Sequence, residues 1–334
     1  MGHLERTKIY HSIETDRKTK VLSFITSGRQ GMETVIAQDC IDPFVDLLEK
    51  IGPTERISLI LHTNGGQTLA AWRLVNLIRM FCEELEVLIP LKALSAGTLI
   101  SIGADKVVMT KQAALGPIDP SINNPLNPQA DIGGQSKQVP VSVENVRGYL
   151  NAARNELKIG DEASLTSVLL DLTNHIHPLV LGEIFRSQAQ IRFLAEKLLS
   201  RQIRDQNKIN SIIDFLCADS GSHDYTINRR EAADLGLNIE KPSDTFYQQL
   251  RKIHLDYNKE LKLLEPYNAQ ALIAGVKPNH PISYTTPRAL VEGTVGACYG
   301  FVSEGTLMRV QVQTSSGLQE AVKDDRTFEG WRKL

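Results

Sequence analysis

The sequence predicts an α/β fold built around a parallel sheet. Short apolar runs alternate with helical patterns through the first two thirds of the 334-residue chain, and repeated strand–helix–strand order is the pattern that forms parallel sheets. The run ISLILHT at 57–63 is almost wholly apolar, as a strand buried on both faces requires. Hydrophobic residues make up 42% of the chain, so it can form a proper core.

Strands and helices are predicted in a regular order along this part of the chain. The pattern predicts helices at 40–52 and 67–84, and strands at 21–27, 57–63, 86–91 and 106–110. Gly52 and Pro53 are expected to end the first helix. Polar residues in the second helix recur at every third position, which leaves only a narrow polar stripe, so that helix should be nearly buried.

The middle of the chain is predicted to be a long loop followed by helices. Residues 117–140 are rich in Pro, Asn, Gly and Gln, and loops of this length in a compact domain are often functional. Helical patterns follow at 141–173, 177–202 and 241–270, and the charged character of the last predicts a peripheral helix. The helix at 177–202 is long enough to project from the core and carry an interface.

The C-terminal part changes to a β-rich pattern. Alternating β-formers begin near residue 281, SEG at 303–305 predicts a hairpin turn, and a polar tail follows from 314. The sequence therefore predicts an α/β domain over 1–270 and a small β-rich C-terminal appendage, with a polar tail, over 281–334.

Composition excludes several classes of partner. The net charge is −2 and no basic stripe is visible, so we expect no nucleic-acid partner. The four cysteines form no CxxC pair, and no GxGxxG follows a strand, so no metal and no cofactor are predicted. We find no apolar leader segment and no apolar run of about 18 residues. We therefore expect a soluble cytoplasmic protein without a membrane span.

Two short motifs follow predicted strands and begin predicted helices. They are HTNGG at 62–66 and SAGT at 95–98. Because ligands gather at the carboxyl ends of parallel strands, both motifs should lie on one rim of the sheet. Gly65 and Gly66 let the backbone approach a ligand closely. Their N–H groups, with that of Ala96, are candidates for an oxyanion hole beside Ser95, a candidate nucleophile.

Each motif also has a plain structural interpretation. A Gly-Gly pair after a strand is common as a simple turn. A serine before Ala-Gly is common as a helix N-cap or as a small residue that allows close packing. The order and spacing of the two motifs, with a buried helix between them, favour the functional interpretation.

The chain resembles a known family over roughly residues 20–240. The stretches LILHTNGGQTLAAWRLVNLIR, ALSAGTLISIGADKVVM and ALGPIDPSI are similar to the serine dehydrogenase proteinase family. That family belongs to the signal peptide peptidase A and Clp protease superfamily, with its crotonase-like fold. The resemblance implies a spiral of ββα units, Ser95 as nucleophile, an oxyanion hole from Gly66 (with Gly65) and Ala96, and a homo-oligomer with helix 178–200 as a handle. Most relatives are expected to have Pro where this chain has Asn64.

The base that would activate Ser95 is not evident from the sequence. A serine hydroxyl needs such a base, yet the position where Clp-type relatives place a His holds GPIDP here. The candidates are Lys158, which is also expected as a solvated lysine, and His177, which is also expected as a helix cap. Further candidates, each with a structural alternative, are Lys137, His175, His62 and Asp119, while Asp219 and His223 fall where relatives place a triad acid.

Three functions remain open from the sequence. The first is a serine peptidase that acts on a peptide or protein substrate through an acyl-enzyme on Ser95. The second is a catalytically inactive oligomeric scaffold or protein-binding module of the same fold, which the missing His supports. The third is a crotonase-type enzyme acting on an acyl-thioester, which would not need Ser95 as nucleophile.

Overall fold

The computed structural model describes residues 2–119, 121–122, 124–132, 135–219, 224–296, 298–314 and 317–334. The chain divides into two compact units. The first unit contains Met1–Leu115 and Asn228–Leu334, and the second contains Gly116–Ile227. Among the described residues, none of the helices combines the length and the apolar character that a bilayer span needs.

The helices and strands alternate much as the sequence predicts in the first 110 residues. The α-helices are α1 (His3–Arg17), α2 (Ile41–Ile51), α3 (Thr68–Arg79), α4 (Ala96–Ile102), α5 (Val143–Asn151), α6 (Glu162–His175), α7 (Pro178–Leu199), α8 (Gln206–Asp214), α9 (Arg229–Asp234), α10 (Asp244–Leu261) and α11 (Ala269–Leu272). The strands are β1 (Lys20–Thr26), β2 (Thr54–His62), β3 (Cys82–Ile89), β4 (Lys92–Ala93), β5 (Lys106–Met109), β6 (Ala114–Leu115), β7 (Ser121–Ile122), β8 (Gln129–Ile132), β9 (Gln135–Gln138), β10 (Val141–Ser142), β11 (Ile227–Asn228), β12 (Ile239–Glu240), β13 (Ile282–Gly293), β14 (Tyr299–Thr314) and β15 (Gly317–Lys333).

A mixed sheet organises the first unit. In the described residues it has eight strands in the order β12-β5-β3-β2-β1-β13-β14-β15. The first five strands are parallel, which confirms the predicted α/β class. The strands β1 and β2 are buried almost along their whole length, because helices cover the sheet. The predicted helix at 67–84 is shorter than expected, since it ends at Arg79 and β3 begins at Cys82.

The C-terminal strands continue this sheet. Strand β13 pairs antiparallel with β1, and β14 and β15 follow it outwards. The predicted hairpin turn at 303–305 is wrong, because these residues lie inside β14. The glycine allows the backbone of β14 to come close to that of β15. A Cβ on Gly305 would lie 2.5 Å from the carbonyl oxygen of Asp325, at the point where the register between the two strands shifts. The segment expected to be a polar tail contains β15.

Helix α10 corrects a second prediction, since its charged sequence suggested a peripheral position. One face of α10 is apolar and buried in a core cluster that also contains strand residues such as Ile60 and Leu88. The same cluster takes Tyr10 and Ile13 from α1, a helix that the sequence did not predict. Both helices therefore pack on one face of the sheet.

The second unit is largely helical. Its long helix α7 confirms the predicted helix at 177–202 and buries Ile191, Leu194, Ala195, Leu198 and Leu199 along one side. The predicted helix at 141–173 is divided into α5, a π-helical turn at 152–156, and α6. The segment 117–140, predicted as a loop, contains the short strands β7, β8 and β9.

Candidate active site

The two motifs from the sequence meet at one edge of the sheet in the first unit. Thr63, just after β2, forms a parallel bridge with Ala93 in β4. The N–H of Thr63 donates to the carbonyl of Lys92 at 3.1 Å, and the N–H of Leu94 donates to the carbonyl of Thr63 at 3.1 Å. These bonds bring the turn at 64–66 beside the start of α4.

Gly65 lies directly against Ser95. Its φ is +115°, a backbone conformation that favours glycine. A Cβ at this position would lie 2.8 Å from Ser95 Cβ and 2.9 Å from the carbonyl oxygen of Leu94. Any other residue here would displace the serine, so the glycine is required for the two motifs to touch.

Gly66 is held by a neighbouring segment on one side. The N–H of Ile36 donates to the Gly65 carbonyl at 2.8 Å, and the N–H of Gln67 donates to the Ile36 carbonyl at 2.7 Å. Gly66 has φ +148°, and a Cβ there would meet the Ile36 carbonyl oxygen at 2.2 Å. In the part of the chain that the structure describes, the N–H groups of Gly66 and Ala96 have no protein acceptor.

The N–H of Gly65 differs from these two because it already has an acceptor. It donates to the hydroxyl oxygen of Thr63 at 3.0 Å, and that oxygen also accepts a hydrogen bond from Thr26 at 2.7 Å. The geometry therefore favours Gly66 and Ala96 as the donors to an oxyanion, with Gly65 providing space for Ser95.

Ser95 has an unusual backbone and a free hydroxyl. Its φ of 50° and ψ of −113° lie outside the regions that L-residues prefer, a strain that functional sites often carry. It occupies the N-cap position of α4, yet its side chain caps no backbone N–H. Across the described residues, its half-buried hydroxyl makes no hydrogen bond. The N-cap interpretation of this serine is therefore not supported.

A group of three titratable side chains lies next to this rim in the first unit. We call His62, His254 and Lys92 the histidine cluster. His62 ends β2 and is 3% exposed, His254 on α10 is 5% exposed, and their ring centres are 5.0 Å apart. The ring nitrogen Nδ1 of each histidine is buried without a hydrogen-bond partner among the described residues. The sequence interpretation of His62 as a hydrogen-bonded core residue thus fails at this atom.

Burial and mutual repulsion keep the histidine cluster from becoming charged. Burial, with the charges of His254 and Lys92, lowers the pKa of His62 to about 3. Burial and the Lys92 charge also lower the pKa of His254. Burial lowers the pKa of the Lys92 amino group, which is half-buried and has no ion-pair partner in the described ranges.

The base candidates favoured by the sequence belong to the second unit. Lys158 is exposed and follows the π-helical turn with φ 58°. His177 is exposed and its Nδ1 accepts the N–H of Leu179 at 3.2 Å, so it caps α7. Lys137 lies exposed in β9, and His175 lies exposed at the end of α6. His223 and the side chain of Asp219 lie outside the described residues.

Sequence reasoning missed Lys92 and His254 as neighbours of His62. Lys92 is three residues before the serine, but solvated lysines are common at strand ends and nothing in the motif marks it. His254 lies in a helix that the sequence placed at the periphery. The usable signal was the apolar face of α10, which predicts burial of whatever polar residue lies on it.

Comparisons with known proteins identify relatives of the chain. Residues 2–137 match the family model described as ClpP-like SDH-type serine proteinase. The uncharacterized proteins MJ0137 and MJ1495 of Methanocaldococcus jannaschii are 29% identical over 245 residues and 26% identical over 244 residues. Each match covers 71% of this chain, and they cover 74% and 72% of the two relatives.

Structural neighbours include two proteases. A mutant of the 1510-N membrane-bound stomatin-specific protease has a TM-score of 0.37 and 14% identity, over 64% of this chain and 79% of that chain. A ClpP1 mutant from Listeria monocytogenes has a TM-score of 0.36 and 16% identity, over 71% of this chain and 99% of that chain.

Proposed function

We propose that the protein is a serine peptidase that cleaves peptide bonds through an acyl-enzyme on Ser95. The match of residues 2–137 to the family model described as ClpP-like SDH-type serine proteinase supports this proposal. One observation carries the proposal. A strained serine touches Gly65, and within the described ranges neither its hydroxyl nor the N–H groups of Gly66 and Ala96 at the same rim have a hydrogen-bond partner. Natural proteins leave few buried polar groups unpaired, and a functional site is one reason for the exceptions.

The proposed reaction uses the free groups in turn. Ser95 Oγ attacks the carbonyl carbon of a peptide bond and gives its proton to a base. The N–H groups of Gly66 and Ala96 donate to the oxyanion that forms, an interaction that contributes roughly 3–4 kcal/mol per donor in oxyanion holes. The intermediate collapses, the amine leaves with a proton, and water then hydrolyses the acyl-enzyme.

A catalytically inactive scaffold is the competing function. It is favoured by the absence of any base within hydrogen-bond distance of the Ser95 hydroxyl in the described residues. Either function is compatible with our further proposal of a cytoplasmic homo-oligomer that assembles through helix 178–200. That proposal is supported by the exposed apolar side chains Leu179, Phe185 and Phe193 on α7.

Covalent labelling separates the two functions. The purified protein is treated with a fluorophosphonate probe, and the adduct is mapped by mass spectrometry. We expect one adduct, on Ser95, that is lost in Ser95→Ala and kept in Ser101→Ala. Ser101 is a matched control because it lies on the same helix with its hydroxyl bonded to the Gly97 carbonyl at 2.8 Å. A folded protein without an adduct would favour the scaffold.

A further inference from the structure

The side chain of Thr63 lies between the two halves of the candidate oxyanion hole. Thr63 is fully buried and is the first residue after β2, directly before the turn at 64–66. Its hydroxyl contacts that turn, and its methyl group contacts α4 at Gly97, the residue after Ala96. One side chain therefore contacts both backbone segments that supply a candidate oxyanion donor.

The hydroxyl of Thr63 holds the turn through both backbone groups of Gly65. The N–H of Gly65 donates to Thr63 Oγ1 at 3.0 Å, and the Thr63 hydroxyl donates to the Gly65 carbonyl oxygen at 3.4 Å. The hydroxyl of Thr26, at the end of β1, donates to Thr63 Oγ1 at 2.7 Å. Because a threonine hydroxyl can accept two hydrogen bonds and donate one, these contacts use its full capacity.

The peptide group between Gly65 and Gly66 carries the first donor. In a planar trans peptide the C=O and the N–H point in opposite directions. The Gly65 carbonyl accepts the N–H of Ile36 at 2.8 Å, so the N–H of Gly66 points away from Ile36. Both glycines have positive φ values, 115° and 148°, and glycine sets few steric barriers to rotation of such a peptide. The bonds of Thr63 to Gly65 therefore restrain a peptide that could otherwise turn over.

The methyl group of Thr63 contacts the helix that carries the second donor. A Cβ on Gly97 would lie 2.5 Å from Thr63 Cγ2, so the glycine leaves the space that this methyl group fills. The contact places the first turn of α4, with the N–H of Ala96, against the same residue that holds Gly65.

We propose that Thr63 is a positioning residue that aligns the N–H groups of Gly66 and Ala96 on a single oxyanion. This inference rests on the proposed function and deepens it. Since the Thr63 side chain is buried, it acts through Gly65 and Gly97 and not by contact with the substrate. Its hydroxyl sets the orientation of the turn, and its methyl group sets the distance between the turn and α4.

A positioning role differs measurably from a purely structural one. Donors to an oxyanion accelerate a reaction only when they are already aligned on the place where the charge develops. The phosphoryl oxygen of a fluorophosphonate gains negative charge when Ser95 Oγ bonds to phosphorus and fluoride leaves, so the same two N–H groups act on that step. Misalignment of the donors should therefore lower the maximal rate of labelling and leave the binding of the probe nearly unchanged.

The test measures the maximal rate of fluorophosphonate labelling of Ser95 and the probe concentration that gives half of it. Valine at position 63 keeps the methyl group and removes the hydroxyl. We expect Thr63→Val to lose about 10- to 100-fold in maximal rate, since removal of a whole oxyanion donor costs about 10²–10³. The half-saturating concentration should stay near that of wild type. Thr63→Ser keeps the hydroxyl and should recover most of the rate.

The variant Thr110→Val is the matched control. Thr110 is also fully buried and also follows a strand of the sheet, but its hydroxyl donates to the Pro90 carbonyl at 2.8 Å. This variant should label at the wild-type rate. Circular dichroism confirms that the variants are folded, and unfolding in urea measures their stability.

The outcomes separate the positioning role from the proposed function. A folded Thr63→Val that labels as fast as wild type overturns the role of Thr63 and leaves the peptidase intact. Equal losses in Thr63→Val and Thr110→Val overturn it as well, because any buried hydroxyl would then have the same effect. A wild-type protein that does not label at all overturns the peptidase, and the positioning role falls with it.

A second measurement uses the wild-type protein alone. Hydrogen exchange of its backbone amides is resolved residue by residue by NMR. The Gly65 N–H, which donates to Thr63, should exchange more slowly than the Gly66 N–H, which has no protein acceptor in the described ranges. The expected difference is about five-fold or more, as one hydrogen bond provides. Equal exchange would contradict the proposal even if Thr63→Val failed to fold.

Discussion

Helix α10 lines two polar clusters in the first unit that differ in their counterions. One is the histidine cluster of His62, His254 and Lys92. The other, which we call the ion-pair cluster, joins the guanidinium of Arg6 on α1 to three carboxylates: Glu292 on β13, and Asp256 and Glu260 on α10. The first cluster contains titratable nitrogen groups with no anion within the described residues, whereas every charged group of the second is paired.

The buried groups of the ion-pair cluster have hydrogen-bond partners. Arg6 is fully buried, and its Nε donates to Glu292 Oε2 at 3.0 Å. The hydroxyls of Tyr10 and Tyr257 donate to the same oxygen at 2.8 and 2.9 Å. Burial alone would raise the pKa of Glu292, but hydrogen bonds and charges of His3 and Arg6 hold it well below the usual range.

The difference in pairing between the two clusters suggests different roles for them. A fully paired buried network fixes how elements pack, and here it joins α1, α10 and β13. An unpaired buried group costs stability and persists where it has another use. Among the described residues, the histidine cluster leaves two ring nitrogens and one amine unpaired. We therefore assign the ion-pair cluster to the fold and regard the histidine cluster as a candidate for function.

Breaking the ion-pair cluster should have the largest effect on stability. Arg6→Met keeps an unbranched side chain but removes the guanidinium from the buried carboxylates of Glu292 and Asp256, and breaking such a buried pair typically costs about 3–5 kcal/mol. The free energy of unfolding in urea measures the loss. Arg309→Met is the matched control, because its partner Glu320 is half exposed and such a pair contributes at most about 1 kcal/mol. Equal losses in the two variants would contradict the assignment.

Lowering the pH should reduce the free energy of unfolding through the histidine cluster. Because the folded pKa of His62, about 3, lies below the ordinary value of 6.5, folding opposes its protonation. Its contribution is intact above pH 6.5 and is lost as the pH falls through the window from 6.5 towards 3. Between pH 7 and pH 5 the loss from His62 is about 2 kcal/mol.

The variant His62→Leu isolates that contribution. It should show a smaller loss of unfolding free energy between pH 7 and pH 5 than wild type, by about 2 kcal/mol. The control His175→Leu replaces an exposed histidine of α6 and should keep the wild-type dependence. If His62→Leu and wild type lose stability in parallel, His62 is not the buried neutral group described here.

The sequence predicted what short stretches of chain determine. The strands before HTNGG and SAGT and the helix α7 follow from local periodicity, and Gly65 and Ser95 meet because both follow neighbouring parallel strands. The α1 helix was missed because its buried face consists of Arg6, Tyr10 and Ile13, which show no apolar stripe. From the sequence alone an arginine is expected to be exposed to solvent, because the carboxylates that pair with Arg6 lie about 250 or more residues further along the chain.

The surroundings of Lys92 were missed for the same physical reason. Spacing in relatives directed attention to Lys158 and His177, whereas the pKa of a lysine depends on burial and on neighbours that are far apart in the chain. Lys92 acquires those neighbours only when β2, β4 and α10 pack together. The prediction of a hairpin turn at 303–305 was wrong for a similar reason. Gly305 allows close contact with the backbone of β15, and no local sequence pattern indicates that contact.

Supplying the missing anion should make the histidine cluster resemble the ion-pair cluster, with the smallest effect on stability. Asn258→Asp places a carboxylate at the side chain that contacts His254 Nε2. An adjacent negative charge favours the protonated forms of His254 and Lys92. The loss of unfolding free energy between pH 7 and pH 5 should therefore shrink, by up to about 1 kcal/mol because the position is half-buried.

The control Asn258→Leu removes the contact with His254 without adding charge. It should keep the wild-type loss of unfolding free energy between pH 7 and pH 5. Equal behaviour of Asn258→Asp and Asn258→Leu would mean that the added carboxylate does not act on the histidine cluster.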